Sequence, residues 1–148
     1  MITLWKKLKV DILLAKALKK NIVLCGLSAG SICWFKYGNS DSRKFTSGSN
    51  KLIKVSGLGF IDALHCPHYD VEKHRQADLK RMMKTTPRIV SIALKNCCAI
   101  EVIDNQFKII KSKPSVKAYK IYWKNKKYFK EEIISKKEFG NLDKLLQK

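Results

Sequence analysis

The sequence predicts an α/β fold: a largely parallel sheet with flanking helices and β-hairpins added at its C-terminal edge. Two observations predict it. The first 95 residues alternate helical and strand patterns, while the rest reads as short strands separated by turns. With 148 residues, the chain is long enough for one domain with a real core. No internal repeat or linker divides it, so residues 1–148 form a single domain.

Taken in order, residues 2–20 read as an amphipathic helix, with Leu4, Leu8, Ile12 and Ala15 on one face and Leu18 close by. Asp11, Lys9 and Lys16 interrupt any secretory apolar core, and the stretch has neither the Arg nor the Ser of a presequence. A packed helix is expected. Residues 21–25 (Asn-Ile-Val-Leu-Cys) read as a buried strand, and residues 29–37 as a helix ended by Gly38-Asn39. Residues 39–50 are polar and rich in Ser and Gly, a loop. Short strands are expected at 52–55 and 60–66, the latter stopped by Pro67. Asp70 is placed to cap a helix to about Lys84, closed by Thr85-Thr86-Pro87. Strands follow at 89–94, 98–103, 107–110, 116–123 and 128–134, and a helix over 135–147 completes the chain.

The formal net charge is +19, from 31 basic and 12 acidic residues. All but four of the basic residues (Arg43, Arg75, Arg81, Arg88) are lysine, spread along the whole chain. No RNA-recognition, zinc-finger or helix-turn-helix signal accompanies them, so the charge reads as compositional drift with, at most, nonspecific nucleic-acid binding at low salt. A basic nucleic-acid-binding module stays as an alternative. Five cysteines (Cys25, Cys33, Cys66, Cys97, Cys98) form no disulfide framework and no C-x-x-C. They read as buried thiols in a reducing, cytoplasmic setting. Cys66 and His68 lack further partners at ligand spacing, so neither metal nor cofactor is expected. No run is long enough to span a membrane.

The chemistry centres on Gly26-Leu27-Ser28-Ala29-Gly30, a G-x-S-x-G between a strand and a helix. Such a turn strains the serine backbone and exposes its hydroxyl, and glycines at either side avoid clashes with strand and helix. The amide of Ala29 then faces the developing oxyanion. The same residues also suit a glycine-rich turn whose serine caps the helix. A serine needs a base, and the base needs an orienting group. Of three histidines, His68 follows the end of a strand, as Ser28 does, where functional groups of open α/β sheets collect. His65 lies within the strand and His74 on the next helix. Asp41, in the polar loop, is the candidate acid, and the order Ser, Asp, His is that of α/β hydrolases. Asp70 competes, but its spacing suits a helix cap.

Gly26-Leu27-Ser28-Ala29-Gly30-Ser31, then Asn39-Ser40-Asp41, then Pro67-His68-Tyr69-Asp70 with Glu72 and Arg75, resemble the peptidase E (dipeptidase E) family. The resemblance runs from the first helix to about Trp123. It implies a three-layer fold similar to class I glutamine amidotransferases, flavodoxin-like, and a serine peptidase acting on short peptides. It puts the nucleophile on Ser28, the base on His68 and the acid on Asp41. Family members carry an upstream half with several β–α units and a glycine-rich loop, so the sequence resembles the C-terminal portion of such a peptidase, incomplete at the N-terminus. The second oxyanion donor usually comes from an upstream strand-to-helix loop, which this sequence is not expected to supply; a separately encoded N-terminal fragment or a homo-oligomer is the expected partner. An inactive remnant is the non-enzymatic alternative.

Overall fold

The structure is a computed structural model that describes residues 1–71 and 74–148. Glu72, quoted above in the resemblance, lies outside the described residues, as does part of the helix expected from Asp70.

A six-stranded mixed sheet organises the molecule. It contains β1 (Phe35–Ser40), β2 (Ile53–Ser56), β3 (Ile61–Cys66), β4 (Ser91–Leu94), β7 (Ala118–Lys124) and β8 (Lys127–Ile133), in the order β2-β1-β3-β4-β7-β8. β1, β3 and β4 are parallel neighbours, while β2, β7 and β8 join antiparallel at the two edges. β4 is buried along its whole length, as is the second half of β3. This is why they lack the apolar–polar alternation of a half-exposed strand, His65 and Ser91 being the buried polar exceptions.

Each face is covered differently. On one, α5 (Arg75–Lys84) lays Leu79 and Met83 against Leu64, Cys66, Ala93 and Ile121. On the other, β5 (Cys98–Ile103), β6 (Gln106–Lys111) and β9 (Gly140–Asn141) form a second, antiparallel sheet. With α6 (Leu142–Leu146) it packs Ile109, Leu142 and Leu145 on Ala63, Ile92 and Leu94. The β7–β8 hairpin extends the main sheet, as expected. The β5–β6 hairpin does not: Ile100, Val102 and Phe107 need an apolar layer beneath them, which an edge position would not supply.

Several expectations change. The first helix is two, α1 (Ile2–Lys7) and α2 (Val10–Lys19), because Lys9 adopts a left-handed conformation between them. Residues 22–26 run without helix or strand structure, since no strand among the described residues pairs with them and a lone strand has nowhere to send its backbone bonds. The helix expected over 29–37 is one turn, α3 (Ala29–Ile32), and Gly38-Asn39 belong to β1 instead of ending it. Gly38 is there for close packing: a Cβ would come 2.2 Å from Ile32 Cγ2. The loop at 39–50 contains α4 (Ser42–Ser47). α5 starts at Arg75, so Asp70 is not its cap. The C-terminal helix shrinks to α6 because Gly140 and Asn141 pair with β6; Asn141 then caps α6, its side chain accepting from the Lys144 amide at 2.8 Å.

Candidate active site at the strand tips

β1, β3 and β4 run the same way, so their carboxyl ends share a rim. Asp41 follows β1, His68 follows β3 after Pro67, and Asn96 follows β4 after Lys95. These three line a cavity of about 330 Å³ with Val71 and Arg75.

His68 has a positive φ of 53° and is half-buried. Its Nδ1 lies 2.7 Å from Asn96 Oδ1. An amide oxygen only accepts, so Nδ1 carries a hydrogen, and in the neutral tautomer Nε2 is the acceptor. The Asn96 amide donates in turn to Asp70 Oδ1 at 3.0 Å, and the Tyr69 amide to the Leu94 carbonyl at 3.0 Å. The two loops are thereby tied together around the imidazole. Asp70 thus steadies the turn that holds His68. Asn96 was missed in the sequence because a Lys-Asn dipeptide between two strands reads as an ordinary turn; its position after a parallel strand was the available signal.

Asp41 reaches the same cavity by another route. The Arg75 side chain is 3% exposed, with Nη1 donating to Asn39 Oδ1 at 2.9 Å and Nη2 lying 3.9 Å from Asp41 Oδ2. Asn39 is fully buried at the end of β1. The guanidinium fixes the strand tip through Asn39 and makes a long ion pair with the Asp41 carboxylate. Among the described residues no hydrogen bond joins Asp41 to His68.

Ser28 stands at the N-cap of α3 with φ 53° and ψ −115°. A non-glycine residue in that region is strained, by about 1–3 kcal/mol. Gly26 permits it: a Cβ there would meet the Gly30 carbonyl carbon at 2.3 Å, backbone against backbone. Gly30 differs from expectation, since a Cβ on it would meet nothing within 4 Å. The Ala29 residue opens α3 and is exposed, so its amide is at the free end of the turn. Ser28 does not line the cavity of His68 and Asp41, and among the described residues it shares no hydrogen bond with His68. The link between them is indirect. Ser31 Oγ lies 2.7 Å from the Ser28 carbonyl oxygen and 3.0 Å from Nε2 of His65, on the strand that ends at His68.

The remaining candidates separate. Cys33 and Cys66 are buried, and burial raises the Cys33 thiol above its ordinary value. Cys25 and Cys97 are exposed, against expectation. Among the described residues no group of three His, Cys, Asp or Glu side chains could hold a metal ion, and no helix is long and apolar enough to cross a membrane.

Residues 1–110 match the model of peptidase family S51. Over 122 residues the chain is 33% identical to an uncharacterised peptidase, YgaJ, of Bacillus subtilis (strain 168). The match covers 82% of this chain and 50% of that relative, so it spans about half the relative's length.

Proposed function

This chain belongs to peptidase family S51, the peptidase E family, and from that premise we propose that it is a serine-type peptidase acting on short peptides, with Ser28, His68 and Asp41 as its catalytic residues. The observation that carries the proposal is the Ser28 backbone. Its φ and ψ are those of a residue forced into a sharp turn, and such strain marks functional positions. The His68 tautomer supports the pairing, because Nε2 is free to accept a proton.

In the proposed reaction Ser28 Oγ attacks the peptide carbonyl carbon and gives its proton to His68 Nε2. The Ala29 amide donates to the oxyanion. His68 then protonates the leaving amine, and the C–N bond breaks to give an acyl-enzyme. Water then attacks the ester carbonyl, losing a proton to His68; the C–Oγ bond breaks, His68 returns that proton to Ser28 Oγ, and the acid is released. Asn96 holds the imidazole, while Asp41 stabilises the imidazolium across the shared cavity. The proton transfer requires Ser28 Oγ and His68 Nε2 within hydrogen-bond reach of one another. A fluorophosphonate probe tests the proposal: it should modify Ser28, and modification that persists in Ser28→Ala overturns it.

One surface favours a larger assembly. α1 and α2 bury no residue, and Leu4, Leu8, Ile12, Leu13, Ile22, Val23 and Leu27 are all exposed, Val23 and Leu27 to 86%. So many exposed apolar side chains within residues 4–27 suit an interface. We infer that further polypeptide, corresponding to the unmatched half of the Bacillus relative, covers this face and brings the second oxyanion donor. Co-expression with that unmatched half should give a stable complex and faster labelling of Ser28. A monodisperse chain that neither binds it nor gains reactivity contradicts the assembly and leaves the nucleophile to its own test.

A further inference from the structure

Three residues past Ser28 and three before His68, a partly buried contact remains that the reaction above does not use. His65 is 1% exposed and stacked on Phe35, ring centroids 4.5 Å apart. Its Nδ1 lies 3.1 Å from the Ile92 carbonyl oxygen on the adjacent strand β4, and its Nε2 lies 3.0 Å from Ser31 Oγ. Ser31 Oγ is also 2.7 Å from the carbonyl oxygen of Ser28. That oxygen already accepts the amides of Ser31 and Ile32, at 3.0 and 3.1 Å.

Counting hydrogens constrains these contacts. A carbonyl only accepts, so Nδ1 carries a hydrogen. In the neutral ring Nε2 is then an acceptor, and the hydrogen facing it belongs to Ser31. A hydroxyl has one hydrogen, which goes either to His65 or to the Ser28 carbonyl. Burial disfavours the charged ring that would satisfy all three contacts at once, and the nearby His68 acts in the same direction. The Ser31 hydroxyl thus lies between the Ser28 carbonyl oxygen and His65 Nε2, and the first turn of α3 is anchored on β3.

We propose that Ser31 and His65 are positioning residues: the Ser31 hydroxyl, bound to the neutral His65 ring, fixes the turn that holds Ser28 in its strained conformation. The inference rests on Ser28 as the nucleophile. It gives β3 two tasks, because the strand that presents His68 at its tip also anchors the elbow through His65. Nucleophile and base are then registered to one rigid element, as a precise site requires. Neither Ser31 nor His65 touches a reacting atom.

The test uses the full chain with Ser31→Ala and Ser31→Thr. Nitrogen NMR of the wild type should show His65 neutral at pH 7, protonated at Nδ1, with Nε2 accepting a hydrogen bond. In Ser31→Ala that Nε2 resonance should move to the position of a free acceptor, and in Ser31→Thr it should return. Amide exchange at Ile32, which donates to the Ser28 carbonyl, should be roughly tenfold faster in Ser31→Ala at unchanged global melting, the loss expected for one hydrogen bond. Fluorophosphonate labelling should slow by the same factor and recover in Ser31→Thr. If neither the His65 resonance nor Ile32 exchange responds to Ser31→Ala, the anchor is overturned. If both respond but labelling keeps its wild-type rate, the positioning role is overturned while the nucleophile stands. A wild type that is never labelled removes the nucleophile, and with it the positioning role, whatever the resonance shows of the anchor itself.

Discussion

Ser28 and His68 share a feature that most of the chain lacks: each is a non-glycine residue at a φ of 53°. Each such position costs stability and persists when its surroundings determine it. At His68 those surroundings are Asn96, Asp70 and the Tyr69 amide; at Ser28 they are Gly26 and the Ser31–His65 contact. Replacing His68 by Gln should slow fluorophosphonate labelling by about 10²–10⁴, the usual contribution of a general base. Asn96→Ala should slow it by roughly tenfold, because the imidazole loses the bond that sets its tautomer. Asp41→Asn should slow it as well, through loss of the charge that favours the imidazolium. Labelling kinetics at pH 7 check all three, and an Asp41→Asn chain that reacts at the wild-type rate removes Asp41 from the machinery.

At the scale of elements, the two glycines of the elbow have different roles. Gly26 touches the backbone of Gly30, so Gly26→Ala must move one of them and should abolish Ser28 labelling or the fold of the turn. Gly30 faces open space within a helical turn, so Gly30→Ala should be tolerated and add up to about 1 kcal/mol of stability. Melting temperatures with labelling rates for the pair decide this, and equal damage from both substitutions contradicts it. The same scale shows what the sequence could tell. Strands 61–66, 91–94, 98–103 and 127–133 were legible within a residue or two because apolar runs and turn dipeptides bound them. Residues 21–25 misled because their pattern is that of a buried strand, and a pattern does not supply the neighbour that makes it one. Residues 35–40 misled because apolar residues before a Gly-Asn look like a capped helix, whereas Gly38 is needed for the packing of Ile32.

Across the whole molecule, the cavity was legible where it depends on chain order: Asp41 lies in the loop expected after the elbow helix and His68 after a predicted strand, and the two share a rim, whereas Ser28 stands outside that cavity. Asn96 and the Ser31–His65 contact were not legible, since they arise from strands brought side by side: Cys66 and Ala93 become neighbours across 27 residues of sequence. His65 also links the fold to pH. Burial holds its ring down at about 4, against 6.5 for an exposed histidine, with the hydrogen bond to Ile92 opposing and His68 adding slightly. Between those values the unfolded chain binds a proton that the folded chain refuses. Stability should therefore fall as pH drops from about 6.5 towards 4, by about 3 kcal/mol, and show no His65 contribution above that window. Urea unfolding of the wild type and His65→Gln at pH 7 and 4.5 isolates this, because the general repulsion of a chain with charge +19 is common to both. An unchanged difference between the two proteins at the two pH values contradicts it.

Whether Ser28 is the proposed nucleophile is read by peptide mapping with mass spectrometry after fluorophosphonate treatment. A single adduct is expected on Ser28, absent from Ser28→Ala and strongly slowed in His68→Gln. An adduct that survives Ser28→Ala, or a Ser28 that stays unmodified in the chain joined to its covering polypeptide, contradicts it.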